Sequence, residues 1–398
     1  MATIKQQGKG YKITVSLGSD VSGKKIREHM TWVPADGMTQ KQIEKELQRQ
    51  SVLFEERVRH SGTRNSNIRL VDFTELYLRE YAWPFLKAKT AFGYAEKMKL
   101  ANEALGHIKL KDLRPGHIAA FYANLQEEGV RRDGDPAPLK PGTIHAYHRA
   151  LSAVLSKAVK WAYIRENPSS GADLPSIAGR KAAYLEEGDA RRLLELLHGE
   201  PIKWRALITF DLLSGLRRGE LAGLRWTDVD IDAQTITITQ TSNYLPGRGV
   251  YTDTPKTANS HRPLRLSRSA FLLLLEYRQW QDAQRASLGD AWEDKDERVF
   301  TTDFGAPMFP DSISQWFAKF IRRTGLPKVT VHSLRHTYAS LMIADGVPLV
   351  VVSHQLGHAQ ASTTANIYAH AIKSAEVKAA QTFDKFDDVI AQKQAVGE

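Results

Sequence analysis

One tyrosine near the end of the chain follows a set of basic side chains at short spacing. His332 and Arg335 are three residues apart, and Tyr368 lies ten residues beyond His358. Arginine is the best bidentate donor for the non-bridging oxygens of a phosphate, and a tyrosine hydroxyl can act as a nucleophile that forms a covalent intermediate. The combination predicts covalent chemistry on the phosphodiester backbone of a nucleic acid.

Upstream residues supply further candidates for the same site. Arg217 follows a Ser-Gly turn where a helix is predicted to start, and Glu220 lies at a spacing that allows a charge-assisted bond to Arg217. Lys256 falls in a predicted turn between two strands, from which a lysine can protonate a leaving 5′ oxygen. Taken singly, Arg217 is also compatible with a surface arginine at a helix N-terminus. Spacing alone does not separate Lys256 from an ordinary loop lysine.

The C-terminal candidates lie where helix geometry can aim them. His332 and Arg335 share one face of a predicted helix, although an exposed basic patch is the alternative. Gly357 can end a helix in the left-handed conformation, which holds His358 on a tight corner. Tyr368 is one of thirteen tyrosines, and only its context distinguishes it from a core tyrosine.

Histidines at helical spacing raise a second chemistry, metal binding. His332 and His336, like His354 and His358, are spaced i,i+4, as helical zinc ligands are. The residue after His332 is Ser333, so the glutamate base of the HExxH metalloprotease motif is missing. No nearby carboxylate cluster offers a two-metal site. The sequence therefore predicts a site with no metal and no cofactor, and disfavours a metal-dependent nuclease.

Composition favours a polyanionic partner and an intracellular setting. The 398 residues carry a formal net charge of +10, although a basic protein without such a partner is the alternative. The absence of cysteine excludes disulfides, thiol nucleophiles and cysteine metal sites, and fits a reducing compartment. Without a long apolar run or a signal peptide, the chain is predicted to be cytoplasmic and unanchored.

The first segment, residues 1–65, reads as a small separate module. Residues 10–18 alternate as a strand, 27–34 are a candidate second strand, and Thr39 with Gln42 forms a capping box before a helix. Basic side chains crowd the strands: Lys5, Lys9, Lys12, Lys24, Lys25 and Arg27. A three-stranded sheet facing a DNA groove and a solvated basic face both fit this pattern.

Two further segments follow. Residues 68–168 are predicted to be all-helical, with Lys157 and Lys160 on a polar face that can contact phosphates. A linker over 169–181 leads into a mixed domain over 180–398. In that domain we expect strands over 234–242, 249–255 and 261–267, and helices over 186–198, 201–213, 217–224, 268–287, 311–324, 332–345, 348–356, 363–371 and 374–392.

Taken together, the motifs SGLRRGELAGLRW, PKTANSHRPL, HSLRHTYASL and QLGHAQASTTANIYAH resemble the catalytic domain of the tyrosine recombinase (phage integrase) family. Their order and spacing match the Arg, Lys, His-x-x-Arg, His, Tyr series of that family over residues 180–371. Residues 68–168 resemble its helical core-binding domain. Residues 1–65 resemble the arm-binding domain of integrases from temperate phages and integrative conjugative elements. Ser214 stands where threonine is common, and retains the hydroxyl.

The resemblance implies a multidomain fold: a small α+β arm-binding domain (three-stranded sheet plus helix), an all-α, SAM-like core-binding domain, and a mixed, mainly-α catalytic domain with a small antiparallel sheet. It implies a homotetramer acting on the core and arm sites of double-stranded DNA, with an excisionase and host DNA-bending proteins as candidate partners. The implied function is integration and excision of a mobile element through a Holliday junction. A resolvase or invertase of the same family is the alternative, and a non-catalytic DNA-binding protein is a more distant one.

Catalytic roles also follow from the resemblance. Tyr368 attacks the scissile phosphate and forms a 3′-phosphotyrosine bond, while Arg217 and Arg335 bind the non-bridging oxygens. Because the covalent link conserves the energy of the broken bond, rejoining needs neither ATP nor a metal ion.

The remaining residues are given supporting roles by the same resemblance. Lys256 acts as general acid toward the 5′ oxygen, and His332 assists proton transfer with the tyrosine. His358 donates to the phosphate, and Glu220 supports the arginine. The tyrosine depends on such help because its hydroxyl ordinarily titrates near pH ~10.

Overall fold

The structure is a computed structural model that describes residues 2–19, 25–61, 67–131, 133–177, 182–254, 261–293 and 296–358, together with residues 360, 362, 364, 365 and 368. The chain divides into two compact units, Met1–Ala178 and Gly179–Glu398. The division falls inside the predicted linker 169–181, and the helix predicted over 374–392 lies outside the described residues. No helix among the described residues is both long enough and apolar enough to cross a membrane.

The N-terminal part of the first unit is a three-stranded antiparallel sheet with one helix. Its elements are β1 Thr3–Gln7, β2 Gly10–Ser19, β3 Lys25–Trp32 and α1 Gln40–Ser61, and the strand order is β1-β2-β3. The predicted alternation of β2 is confirmed, because Ile13 and Val15 are buried in one cluster with Phe54 of α1. At the start of α1, the backbone N–H of Thr39 donates to Oε1 of Gln42 at 2.9 Å. This is the reciprocal contact expected from the predicted capping box.

The rest of the first unit is helical. Its helices are α2 Leu70–Tyr77, α3 Trp83–Phe85, α4 Ala88–Leu105, α5 Pro115–Asn124 and α6 Pro141–Lys160, and a π-helical turn, Leu78–Ala82, joins α2 to α3. The apolar stripe predicted for α6 is confirmed, since Ile144, Leu151 and Val154 are fully buried in the core of this helical part.

The second unit is mixed and mainly helical. Its helices are α7 Glu187–Leu197, α8 Ile202–Ser214, α9 Arg218–Gly223, α10 Arg268–Leu288, α11 Pro310–Thr324, α12 Val331–Ala344 and α13 Leu349–Leu356. Its strands are β4 Val229–Asp230, β5 Thr235–Thr237, β6 Thr241–Leu245, β7 Gly249–Asp253 and β8 Pro263–Arg265. They form a three-stranded sheet, β4-β5-β8, and a β6-β7 hairpin, all antiparallel. The mixed, mainly-α fold with small antiparallel sheets is thus confirmed.

One predicted strand of this unit is wrong. Residues 234–242 do not form a single strand, because β5 and β6 lie in different sheets. The chain leaves the first sheet to pass close to α9, where a Cβ on Gly223 would lie 2.9 Å from the backbone nitrogen of Ser242. The Nε2 of Gln240 also donates to the carbonyl of Gly223 at 2.8 Å. The alternating sequence contains no sign of this contact with a helix.

Three helix ends in the second unit are fixed by local signals and position the candidate site. Gly215 ends α8 at a φ of 61°, and a Cβ there would lie 2.4 Å from the ring of Tyr338. Thr330 caps α12, since its hydroxyl accepts from the N–H of Ser333 at 3.3 Å. Gly357 ends α13 at a φ of 64°. Glycine is favoured at both left-handed positions because other residues are strained there.

Candidate active site

The C-terminal end of α13 is where the two predicted phosphate-binding arginines meet. Arg335, on α12, donates through Nη1 to the carbonyl of Gly215 at 2.8 Å and through Nη2 to the carbonyl of Leu356. Arg217, just before α9, donates through Nη2 to the carbonyl of Gly357 at 3.1 Å. Carbonyls in the last turn of a helix lack partners within the helix and carry partial negative charge. Two guanidinium groups from distant parts of the sequence are therefore held side by side.

Glu220 contacts Arg217 in the way that the sequence predicts. Its Oε1 accepts from Nη1 of Arg217 at 2.7 Å, and its Oε2 accepts from the backbone N–H of Arg217 at 3.1 Å. Glu220 is almost completely buried. Burial alone would raise the pKa of Glu220, but Arg262 and Arg217 hold that pKa below its ordinary value. The carboxylate is therefore ionised at neutral pH and orients Arg217.

Arg262 is a member of the cluster that the sequence did not reveal. It is fully buried, with Nε donating to the carbonyl of Gln355 at 2.6 Å and Nη2 donating to Oε2 of Glu220 at 3.2 Å. Its partners lie 93 and 42 residues away in sequence. No local spacing pattern therefore distinguishes it from the other basic residues of the region 261–267.

His358 and His332 lie close to these cations and are predominantly neutral at pH 7. Burial, followed by Arg335 and Arg217, lowers the pKa of His358 to about 4, and its Nδ1 lies 2.7 Å from Oγ1 of Thr364. Partial burial and the same two arginines also lower the pKa of His332. A neutral imidazole can donate from one nitrogen and accept at the other. Both histidines therefore present one donor and one acceptor nitrogen at neutral pH.

Tyr368 lies in a small apolar cluster with its hydroxyl against a histidine that was not predicted to belong to the site. Its side chain is 1% exposed, and the hydroxyl lies 2.8 Å from Nδ1 of His336. The ring of His332 meets the ring of His336 edge to face, with 4.7 Å between centroids. Burial raises the pKa of Tyr368 to about 12, although Arg335 opposes this rise. The sequence signal for His336 is its i,i+4 spacing from His332, a spacing that is also typical of a metal-ligand pair.

Asp211 is a buried acid beside the cluster. Neither of its carboxyl oxygens has a hydrogen-bond partner within the described part of the chain. Burial holds the pKa of Asp211 well above its ordinary value, although Arg335 acts in the opposite direction. Because burial disfavours its charged form, Asp211 is a poor counter-charge for the arginines. Over the described residues, no three histidine or carboxylate side chains are grouped closely enough to hold a metal ion.

Lys256 lies outside the described residues, so the structure does not place this predicted general acid. The other predicted catalytic residues, Arg217, His332, Arg335 and His358, surround the end of α13 or face the His336–Tyr368 pair. The described part of the site thus brings together arginine donors, neutral imidazoles and one tyrosine. Such a set can bind a phosphate and accept a proton from a tyrosine nucleophile.

The residues predicted to bind DNA are distributed over the first unit. Lys5 lies directly opposite Lys12 in the sheet, and Arg27 shares their face, opposite to the buried Ile13. Lys9 is exposed in the turn between β1 and β2, Lys25 is exposed at the start of β3, and Lys24 lies outside the described residues. On α6, Lys160 is exposed, whereas the Nζ of Lys157 lies 3.2 Å from the centre of the Tyr81 ring.

Comparison with known proteins shows what the chain is similar to. Residues 183–375 match the phage integrase family. The chain is 28% identical to a tyrosine recombinase XerC-like protein of Caldanaerobacter subterraneus subsp. tengcongensis, over 94% of this chain and 95% of that protein. It is 24% identical to the ICEBs1 integrase of Bacillus subtilis, over 98% of this chain and all of that protein.

Solved structures show the same fold. The Tn1549 transposon integrase in complex with a circular intermediate DNA superposes with a TM-score of 0.64 at 20% identity, covering 79% of this chain and 99% of that one. A lambda integrase tetramer bound to a Holliday junction superposes with a TM-score of 0.52 at 17% identity, covering 91% and 94%. The part of the chain that carries the candidate site therefore matches the phage integrase family, and nearly the whole chain is similar to tyrosine recombinases and integrases.

Proposed function

We propose that this protein is a site-specific DNA integrase that cuts and rejoins double-stranded DNA at the ends of a mobile element. The observation that carries the proposal is the convergence of Arg217 and Arg335 on adjacent carbonyls at the end of α13, beside His358. A phosphodiester entering here finds rigid bidentate donors whose positions are fixed before it binds.

The proposed reaction uses the tyrosine as nucleophile. The Oη of Tyr368 attacks the scissile phosphorus, the bond from phosphorus to O5′ breaks, and a 3′-phosphotyrosine and a free 5′ hydroxyl result. The proton of the tyrosine passes to His336, whose Nδ1 is already in contact with the hydroxyl, and His332 assists from the adjacent ring. Lys256 supplies the proton that the 5′ oxygen needs. Attack by the 5′ hydroxyl of another strand then reverses these steps and releases the enzyme.

The arrangement of Tyr368 fits a resting state. With 1% of its surface exposed and its pKa raised to about 12 by burial, the tyrosine is neither accessible nor ionised at neutral pH. A DNA phosphate reaches the hydroxyl only after the side chain of Tyr368 has become exposed. Binding of the phosphate between Arg217 and Arg335 supplies free energy for such a rearrangement.

The larger assembly is proposed from the relatives. The lambda integrase that shares the fold forms a tetramer on a Holliday junction, and we propose that four protomers of this chain act together in the same way. The proposed domains are 1–65 for arm sites, 68–168 for core sites and 180–398 for catalysis. The directly opposed Lys5 and Lys12 support the first of these, because like charges facing each other favour an anionic ligand. An excisionase, host DNA-bending proteins and a cytoplasmic location stay predictions.

The test begins with the DNA that flanks the gene, since an integrase gene usually lies beside its own attachment site. A nicked duplex carrying that site should trap the wild-type protein as a covalent complex that resists detergent. Tyr368→Phe should bind the same duplex and form no such complex. Tyr338→Phe is the matched control, because Tyr338 packs in the same apolar cluster and is not proposed as a nucleophile.

A covalent adduct formed by Tyr368→Phe would overturn the proposal. Loss of strand cleavage on addition of EDTA would instead favour a metal-dependent nuclease. Loss of the covalent complex in both tyrosine variants would show that the cluster, and not the hydroxyl of Tyr368, is what the reaction requires.

A further inference from the structure

Three guanidinium groups bind three consecutive carbonyl oxygens at the end of α13. The pairs are Arg262 with Gln355, Arg335 with Leu356 and Arg217 with Gly357. The three arginines come from the region before β8, from α12 and from the start of α9. One helix end therefore sets the spacing of the whole group, and Arg262 is as much a part of it as the two arginines assigned to the phosphate.

These three arginines carry more positive charge than the acidic side chains described around them can neutralise. Glu220 is the carboxylate that contacts them, whereas burial raises the pKa of Asp211 and neither carboxyl oxygen of Asp211 has a hydrogen-bond partner among the described residues. Three guanidinium charges against one carboxylate leave two net positive charges. Partial charges on the helix carbonyls reduce the repulsion between the arginines without cancelling their charge. An added phosphate dianion or diester is therefore attracted to the group.

Arg262 shares Glu220 with Arg217. Oε2 accepts from Nη2 of Arg262 at 3.2 Å, while Oε1 accepts from Nη1 of Arg217 at 2.7 Å. If Arg262 were absent, Glu220 and Arg217 would form an isolated neutral pair, and the local surplus would fall by one charge. The planar guanidinium of Arg262 also spans two acceptors on different elements, a geometry that lysine cannot reproduce.

We propose that Arg262 is a positioning residue of the phosphate site, which holds Glu220 and the end of α13 together so that Arg217 presents its guanidinium to the phosphate. This inference rests on the proposed function. Arg262 donates to Glu220 and to the carbonyl of Gln355, so it acts on the phosphate through Glu220 and Arg217. Its contribution is to the rate of cleavage rather than to the affinity for the duplex.

The test compares Arg262→Met and Arg262→Lys with a matched control, Arg298→Met. Arg298 is an equally buried arginine, 2% exposed, and its Nη1 donates to the carbonyl of Ala222 in α9 at 3.0 Å. It lies outside the group at the end of α13, so its replacement removes a buried guanidinium without removing any of the contacts described for that group. The readouts are the single-turnover rate of covalent complex formation on the attachment-site duplex, the affinity for that duplex and the thermal midpoint.

Arg262→Met should form the covalent complex about 10- to 100-fold more slowly, because a small misplacement of a binding group costs rates of this order. Its affinity for the duplex should change by less than about threefold, since phosphate contacts along the whole site dominate binding. Arg262→Lys, which keeps the charge and loses the bidentate geometry, should lie between Arg262→Met and the wild type. Arg298→Met should lose thermal stability and keep the wild-type rate.

The pH profile separates positioning from structural support. The titratable and charged groups around Glu220 are Arg217, Arg262, Arg335 and Asp211. Removing Arg262 takes away the strongest charge that lowers the pKa of Glu220, so the pKa rises. The fall in cleavage rate on the acid side should therefore begin at a higher pH in Arg262→Met than in the wild type or Arg298→Met.

The inference is overturned if folded Arg262→Met keeps both the wild-type cleavage rate and the wild-type pH dependence on the acid side. It is also overturned if Arg298→Met loses as much cleavage rate as Arg262→Met. If Arg262→Met fails to fold, Arg262→Lys takes its place: a wild-type cleavage rate and a wild-type acid-side pH dependence in that variant overturn the inference. If the wild-type chain forms no covalent complex, the proposed function fails first. In that case, thermal unfolding with inorganic phosphate tests the role of Arg262. Phosphate should raise the thermal midpoint of the wild type more than that of either Arg262 variant, and an equal rise overturns the inference.

Discussion

The chain holds basic side chains in two contrasting ways. At the end of α13, Arg335 is buried and each of its terminal nitrogens donates to a backbone carbonyl. On the N-terminal sheet, Lys5 is exposed and lies across from Lys12. The first arrangement fixes charge at a point, and the second spreads it over a surface.

The difference reflects what each region has to recognise. A buried guanidinium costs free energy to remove from water, and only good geometry with several acceptors offsets that cost. In return, its position is defined closely enough to stabilise a transition state. Exposed lysines remain hydrated, attract phosphates over a distance near the Debye length and respond to salt. The catalytic group should therefore be sensitive to geometry, and the sheet to ionic strength.

The largest effect is expected from Arg335→Lys, which keeps the charge and breaks the geometry. A lysine cannot bind the carbonyls of Gly215 and Leu356 and still direct a pair of donors to a phosphate. We expect covalent complex formation to slow by about 100- to 1000-fold, the range found when one preorganised donor is lost. The measurement is a single-turnover cleavage assay on the attachment-site duplex.

A companion measurement checks that geometry alone is responsible. Arg323→Lys changes an exposed arginine that pairs with Glu200, and its cleavage rate should equal that of the wild type. Arg335→Lys should still bind the duplex within a few-fold of the wild type. If it cleaved at the wild-type rate, charge rather than the bidentate geometry would be the property that matters at the end of α13.

A second effect should appear in the pH dependence of stability, through Asp211. Burial raises its pKa in the folded state above that of the unfolded chain, near 3.9. Asp211 therefore costs no stability at lower pH, and the cost grows as the pH rises toward the folded-state value. The free energy of unfolding of Asp211→Asn relative to the wild type should increase by about 1.4 kcal/mol per pH unit over that window. Thermal or urea unfolding from pH 4 to 8 measures it, and a difference independent of pH contradicts it.

The sequence predicted the parts of the site that have local signals. Arg217 follows the glycine that ends α8, and His358 follows the glycine that ends α13, so each lies at a boundary that the sequence marks. The partners of Arg262 and His336 lie far away in sequence, and only tertiary packing brings them together.

The same limit applies to the fold. Helix periods and end signals predicted α8 to α13 closely, because apolar stripes and glycines are properties of a short stretch of sequence. The stretch 234–242 was predicted as one strand because alternation does not record which sheet a residue joins. Its division between β5 and β6 depends on contacts with α9, including the close approach to Gly223.

A smaller effect is expected at the tyrosine. His336→Phe leaves the buried hydroxyl of Tyr368 without the partner that it has at 2.8 Å. An unsatisfied buried polar group costs about 1–3 kcal/mol, so the variant should lose stability by that amount. The loss of stability caused by His336→Phe should be smaller in a protein that already carries Tyr368→Phe, because no hydroxyl then needs a partner. A double-mutant cycle by urea unfolding measures the coupling, and simple additivity would show that the hydrogen bond contributes nothing.

The smallest effect in free energy is expected on the N-terminal sheet. Stability and DNA affinity should change in opposite directions there if the sheet is a binding face. Lys5→Gln with Lys12→Gln removes two like charges that face each other, so folding should gain about 0.2–1 kcal/mol. Binding should weaken, and the slope of log affinity against log salt for a duplex containing the arm sites should fall by about 0.9 for each phosphate that is no longer neutralised. Lys45→Gln, on α1, is the control and should leave that slope unchanged. A face that gains stability and loses salt-dependent affinity in the same variant is one whose charge serves binding, whereas an unchanged slope assigns these lysines to solubility alone.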